Sequence, residues 1–437
     1  RASVTSNRIE RAQYMRVCSL FLTAVLFASG FRSSSGFSAP SVLLKGLQGA
    51  ALGNLHRRGS LLPGALRLRG GEEDRRGFLR STGLVGAAAA VGTQGMTKRG
   101  AEGGKEIRLL ILAEPEGDES LKELDRLPAG ASIVARTNSL ADLKGKEELL
   151  KTVNVVLVSH ILGVSMSAFL SELWPMVPNL EWIYARSAGI DHLICPELVH
   201  DKDKVKLTNA RGVFSHSLAE FTMLGCAYFS KDLPRWERQK HEKKWDRYIV
   251  KDIKGSTMGV VGYGDVGQAC ARLGKAYGMR IVAIRRRPEL SAGDGIVDKC
   301  YGPDQVKELM AESDYVCVAA PLTASTKGMV TAEALKAAKP GCVLINVGRG
   351  AVVDEAAMIK ELKGGSLHGA ALDVFATEPL PADNELWTLP NVLLSPHCAD
   401  NTATFLKNAV AEFVDKSVPA FMNGKELPQL CDPSAGY

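Results

Sequence analysis

The chain has 437 residues, 46% of them hydrophobic and 23% charged, a balance suited to a soluble globular protein with room for a targeting segment and two domains. Its formal net charge is +6, but residues 1–104 hold 15 Lys/Arg against 5 Asp/Glu, so this leader carries +10 and the remainder about −4. The excess base is therefore absent from the folded body, which argues against a nucleic-acid-binding protein. The nine cysteines include no Cys-x-x-Cys pair and no Cys/His cluster of metal-ligand spacing, so no metal site is expected and the thiols read as small buried groups in a reducing compartment.

The first methionine is Met15, and residues 1–14 are read as upstream sequence. Met15 is followed by RVCSLFLTAVLFASG, one basic residue, an apolar run and small residues. That is the shape of a secretory signal peptide, too short to serve as a stable membrane anchor. Residues 31–70 contain no acid and are rich in Ser, Arg, Leu and Gly, the composition of an organellar transit peptide. The order of the two, with Phe31 or Phe37 near the junction, resembles the two-part plastid leader of algae with secondary plastids, and implies a plastid location. Arg75 and Arg76, followed by Phe78, Leu79 and an alanine-rich run, fit either a twin-arginine signal pointing to the thylakoid or the basic end of the transit peptide.

From Lys105 the pattern changes. IRLLILAEP, VNVVLVSH (153–160) and LEWIYARSAGID (180–191) are short apolar runs, separated by charged, helix-compatible stretches such as SLKELDRL and ADLKGKEELLK. A second series begins at MGVVGYGDVGQACARLGKAYG and continues through IVAI, DYVCVAA, CVLINVG, LHGAALDVF and NVLLSPH, each run ending in a turn or a polar residue. Such alternation predicts an α/β protein with two doubly wound parallel-sheet domains. PRWERQKHEKKWDRY (234–248), charged with spaced aromatics, fits either a solvated helix or an arm that contacts a second subunit.

Gly262, Gly264 and Gly267 form a GxGxxG between a predicted strand and a predicted helix. The first glycine permits the tight turn, the second lets the backbone approach a pyrophosphate, and the third lets helix pack on strand, with the helix N-terminus facing the anion. Asp265 and Val266 lie within this dinucleotide-binding loop; the acid is expected to turn its side chain to solvent and present only its N–H. The next strand runs into IVAIRRRP (281–288), so arginine stands where such a unit ordinarily ends in the acid that bonds the ribose hydroxyls. An acid would repel a 2′-phosphate, whereas Arg285 and Arg286 can grip one through charge-assisted hydrogen bonds. NADP(H) is therefore favoured, with NAD(H) possible.

INVGRGAVVDE (345–355), LDVFATEPLP (372–381) and LLSPHCADNT (393–402) carry a more specific signal. With them the chain resembles the D-2-hydroxyacid dehydrogenase family over most of its length from Lys105, most densely from Met258 to Thr402. The resemblance implies a split flavodoxin-like substrate domain (105–208 and 396–437) around an inserted Rossmann cofactor domain (209–395), preceded by the leader (1–104). It also implies that Arg349 binds the substrate carboxylate and carbonyl oxygen, that His397 is the proton donor and acceptor, and that Glu378 pairs with the histidine. These residue types suit the chemistry: hydride arrival puts negative charge on a carbonyl oxygen, which a neighbouring imidazolium neutralises by giving up its proton.

By the same resemblance the N–H groups of Ala188 and Gly189 hold the substrate carboxylate, and Pro321, Thr326, Val347 and Asp373 line the cofactor. SAGIDHL, GYGDVG and the arginines look most like the glyoxylate/hydroxypyruvate reductase branch. The implied protein is a homodimer that reduces a small 2-keto acid, and a soluble NADP pool favours the stroma. The alternatives are an NAD-linked D-3-phosphoglycerate or other D-2-hydroxyacid dehydrogenase, a formate dehydrogenase, and a dehydrogenase-like, redox-sensing co-repressor. The second would have an amide in place of Glu378, and a plastid leader argues against the last.

Overall fold

The computed structural model describes residues 104–437 except 115, 162 and 292. The expected signal, transit and twin-arginine segments lie outside the described residues. Strands β1 (Ile107–Leu112), β2 (Ala131–Thr137), β3 (Val155–Val158), β4 (Trp182–Ala185) and β5 (Lys206–Asn209) are mutually parallel. A second, wholly parallel sheet follows, built from β6 (Thr257–Val261), β7 (Arg280–Ile284), β8 (Lys299–Tyr301), β9 (Tyr315–Val318), β10 (Cys342–Asn346), β11 (Leu367–Leu372) and β12 (Val392–Leu394). The chain then returns to the first sheet, where β13 (Leu430–Cys431) pairs antiparallel with β5. The orders are β13-β5-β4-β3-β1-β2 and β12-β11-β10-β9-β6-β7-β8.

The apolar runs form these strands because both faces of each sheet are covered. Val155–Val158, Trp182–Ala185, Thr257–Val261 and Cys342–Asn346 are buried at every position. A strand buried on both faces reads as a continuous hydrophobic run rather than an alternation. Each fully buried Val, Ile or Leu contributes roughly 1.5–3 kcal/mol relative to exposure.

The returning segment is held on the first sheet by aromatic packing. Trp182 lies 5.1 Å from Phe413 and 5.2 Å from Phe421 between ring centroids, and the Tyr184 hydroxyl donates to the Ala409 carbonyl at 2.8 Å. The helix Ser215–Lys231 carries the chain to the second sheet, packing on the helix Asp265–Ala276 and on β10 and β11.

The structure adds strands that the apolar runs do not announce. β2 is an edge strand, mostly half-exposed, and β8 and β13 are short edges. Glu119–Arg126 is a 3-10 helix with Asp118 accepting from the Ser120 N–H, and the stretch around 141–151 is a 3-10 turn followed by the four-residue helix Glu147–Leu150. Among the described residues no helix is long and apolar enough to cross a membrane. The eight described cysteines are all free, and six of them are buried.

Candidate active site

The second sheet reverses its strand order between β6 and β9. In open α/β sheets a ligand crevice opens at such a switch point, outside the carboxyl ends of the strands. Every stretch singled out in the second sheet follows a carboxyl end: the glycine loop follows β6, Arg285–Arg287 follow β7, Pro321–Thr326 follow β9, Val347–Arg349 follow β10, Asp373–Glu378 follow β11, and His397 follows β12.

The glycine loop fits a dinucleotide. Gly262 has φ +96, and a Cβ there would lie 2.6 Å from the Ala320 backbone. A Cβ on Gly267 would lie 2.1 Å from the Gly262 carbonyl oxygen, so the helix can approach the turn only without a side chain at that position. Gly264 differs: a Cβ on it would meet nothing within 4 Å, leaving room for a ligand against its backbone. It is the residue before the helix Asp265–Ala276, whose N-terminus favours an anion. Asp265 is half-exposed, and its carboxylate pairs with Arg211 Nε at 3.0 Å. Val266 is half-buried at the foot of the helix.

Of the arginines after β7, Arg285 donates through Nη1 to Ser291 Oγ at 3.2 Å. Arg286 is exposed and lies over the Tyr437 ring. In the β9 loop, Thr326 Oγ1 donates to the carbonyl of Pro321 at 2.5 Å and accepts from the Thr323 N–H at 2.8 Å, so it holds the shape of the turn. Val347 is almost fully buried and packs into the core beneath the glycine loop.

Arg349, Glu378 and His397, from the ends of β10, β11 and β12, come together. His397 Nδ1 donates to Glu378 Oε2 at 2.6 Å, and Glu378 Oε1 accepts from the Phe375 N–H at 2.9 Å. The bond to Glu378 raises the histidine above its ordinary value of 6.5, against burial and the nearby Arg349 charge. Burial alone would raise Glu378, but the bonds from His397 and the Phe375 N–H outweigh it and hold the carboxyl below its usual range. His397 has φ 51, a left-handed conformation uncommon for a side-chain-bearing residue and concentrated at functional sites. Asp373 imposes the turn: it is buried, and its Oδ1 accepts from the Cys398 and Ala399 N–H groups at 3.0 Å each.

Arg349 reaches across to the first sheet. Its Nη2 and Nε donate to Asp191 Oδ1 at 3.0 and 3.2 Å, and Nη1 donates to the Gly348 carbonyl at 3.0 Å. A Cβ on Gly189 would fall 1.7 Å from Nη2, so the guanidinium rests on the bare Ala188–Gly189 backbone. That loop is pinned by Asn209 Nδ2, which donates to the Ala188 carbonyl at 2.5 Å, and by Ser187 Oγ, which donates to Gly189 O at 2.7 Å. Just before it, buried Arg186 is paired with Asp118 at 2.6 Å and donates to Ser159 Oγ at 2.7 Å. The neighbouring His192 is pushed down to about 4 by burial and is neutral near pH 7.

Sequence reasoning missed Asp191, Arg211, Asn209 and the Arg186–Asp118 pair. Asp191 stood within the SAGID segment, but only the spatial approach of Arg349 gives it a role. Among the described residues no group of His, Cys, Asp and Glu is arranged to hold a metal ion.

Residues 223–399 match the family described as D-isomer specific 2-hydroxyacid dehydrogenase, NAD binding domain. The chain is 34% identical over 269 residues to the glyoxylate reductase of Thermococcus gammatolerans, an alignment covering 59% of this chain and 78% of that protein. It resembles in structure a D-isomer specific 2-hydroxyacid dehydrogenase from Xanthobacter autotrophicus Py2 in complex with NADPH and MES, with TM-score 0.64 and 28% identity over 76% of this chain and all of the other. It also resembles an NADPH-dependent glyoxylate/hydroxypyruvate reductase from Sinorhizobium meliloti in complex with NADP and malonate, with TM-score 0.59 and 26% identity over 76% of this chain and 98% of the other.

Proposed function

We propose that this chain, which belongs to the D-isomer specific 2-hydroxyacid dehydrogenase family and is an NAD(P)-dependent oxidoreductase, reduces glyoxylate or hydroxypyruvate with NADPH. The observation that carries the reaction is the His397–Glu378 pair beside Arg349, at the strand ends that also bear the glycine loop. Gly262–Gly267 would hold the nicotinamide cofactor, which would supply the hydride. Arg349 and the N–H groups of Ala188 and Gly189 bind and orient the 2-keto acid carboxylate. Arg349 also faces the carbonyl oxygen, where negative charge develops. Glu378 occupies Nδ1 of His397, which leaves Nε2 to give its proton to that oxygen. Because Glu378 raises the histidine, the imidazolium persists to higher pH than an isolated histidine would allow.

The case for NADPH rests on the strand end after β7. Ile284 is followed by Arg285 and Arg286, and no acid stands there to bond ribose hydroxyls or repel a 2′-phosphate. Arg285→Asp combined with Arg286→Ser removes two charge-assisted hydrogen bonds and adds a repelling charge. At about 1.5–3 kcal/mol per bond, discounted for exposure, the NADPH preference falls on the order of 10²-fold. The measurement is kcat/KM for both cofactors with glyoxylate and hydroxypyruvate; a wild type that prefers NADH overturns the cofactor reading, and one inactive on both acids overturns the substrate reading.

The same reading makes the protein a homodimer. Beyond the helix Leu233–Glu242, Trp245 is 94% and Ile249 98% exposed, an arm of large apolar side chains with little of its own chain to cover it. Trp245→Ser with Ile249→Ser is expected to yield monomers by light scattering.

A further inference from the structure

After β13, residues 432–437 leave the edge of the first sheet and cross to the cofactor side of the second. The start is anchored by Cys431 and Pro433, both buried. A compact turn follows: the Ala435 and Gly436 N–H groups donate to the Asp432 carbonyl at 3.0 and 2.9 Å, the Ser434 N–H to Asp432 Oδ1 at 2.9 Å, and the Asp432 N–H to the Tyr437 main-chain oxygen at 3.0 Å. This turn sets Gly436 beside the β9 loop, where a Cβ would lie 3.5 Å from Thr323 Cγ2 and 3.8 Å from the Leu322 carbonyl. It sets the Tyr437 ring 4.7 Å from the Arg286 guanidinium carbon.

We propose that Tyr437 is a positioning residue for cofactor choice: its ring holds one face of the Arg286 guanidinium and leaves the N–H edge aimed at a 2′-phosphate. The inference rests on the NADPH reading above. A long exposed arginine must give up rotamer freedom to grip a phosphate. A ring stacked on its face restricts that freedom beforehand without using any N–H donor. NADH has no 2′-phosphate, so its binding does not draw on this restraint. The segment thus makes the identity of a residue held by the first sheet matter to recognition at the second.

The test measures kcat and KM with each cofactor, and melting temperature, for wild type, Tyr437→Phe, Tyr437→Leu, Tyr437→Ala, Arg286→Ala and the Arg286→Ala/Tyr437→Ala double variant. Tyr437→Ala and Tyr437→Leu should raise KM for NADPH about two- to fivefold, the worth of an exposed cation–π contact, with kcat, KM for NADH and melting temperature unchanged. Tyr437→Phe should behave as wild type, and Tyr437→Ala should add nothing once Arg286 is alanine. An unchanged KM for NADPH, an equal rise for both cofactors, a Phe variant as poor as Ala, or an effect that persists without Arg286 overturns the inference. If Arg286→Ala shifts the cofactor ratio and Tyr437→Ala does not, or if Arg286→Ala shifts nothing in a wild type that prefers NADPH, this inference alone fails; a wild type that prefers NADH overturns the NADPH reading and takes the inference with it.

Discussion

Gly264 and Gly267 separate the needs of the fold from the needs of the ligand. In Gly267→Ala the new Cβ sits 2.1 Å from the Gly262 oxygen and 3.0 Å from Val260 Cγ1, so the helix Asp265–Ala276 must retreat by more than an ångström from β6 to reach ordinary contact. Overpacking of that kind costs roughly 1–3 kcal/mol, several degrees of melting temperature for a domain of this size. In Gly264→Ala the Cβ meets no atom within 4 Å, and φ −90 suits alanine. The apo protein should therefore melt close to wild type, because the gain of about 0.4–1 kcal/mol from restricting the unfolded chain is offset by alanine being a poorer N-cap than glycine. That same Cβ takes the space left for a pyrophosphate, and NADPH affinity should fall tenfold or more, a loss of at least about 1.4 kcal/mol. Thermal melts with and without NADPH, paired with fluorescence titration, give both quantities. A Gly264→Ala protein that binds NADPH as wild type, or melts as low as Gly267→Ala, refutes the reasoning.

His397→Ala should lower kcat by about 10²-fold or more while NADPH still binds, and near-wild-type turnover would remove the proton-donor role. Glu378 raises His397, so reduction is supported below the raised value and lost as pH climbs through it; Glu378→Gln should move that loss to lower pH in a pH–rate profile, and an upward move contradicts the pairing. Asp118→Asn leaves the buried Arg186 guanidinium without its counter-charge and should cost roughly 3–5 kcal/mol in denaturant melts. Burial would raise Asp118, but Arg186 and Ser120 hold it low, so its stabilisation is complete above 3.8 and is lost as pH falls through the lowered value. A fluorescent protein fused behind residues 15–104 should enter the plastid of a complex alga, and retention in the cytosol would defeat that proposal.

The sequence by itself determined those features that local chain chemistry controls. Runs such as VVLV and CVLIN declare buried parallel strands because no polar face interrupts them, and Gly262 and Gly267 declare a turn and a close packing that a Cβ would obstruct within a few residues. The four-residue KLTN of β5 and the edge strands β2, β8 and β13 were not legible, since a short or half-exposed strand has too little apolar periodicity to stand out; their pairing partners define them. Only the tertiary structure decided which charges meet. Arg349 finds Asp191 from 158 residues away, Arg186 finds Asp118 across 68, and the arginine after β7 finds a tyrosine carried by the opposite sheet's last segment. An ion pair or a stacked ring is a property of two positions in space, and a side chain in a turn carries no local mark of the partner that the folded sheets will bring to it.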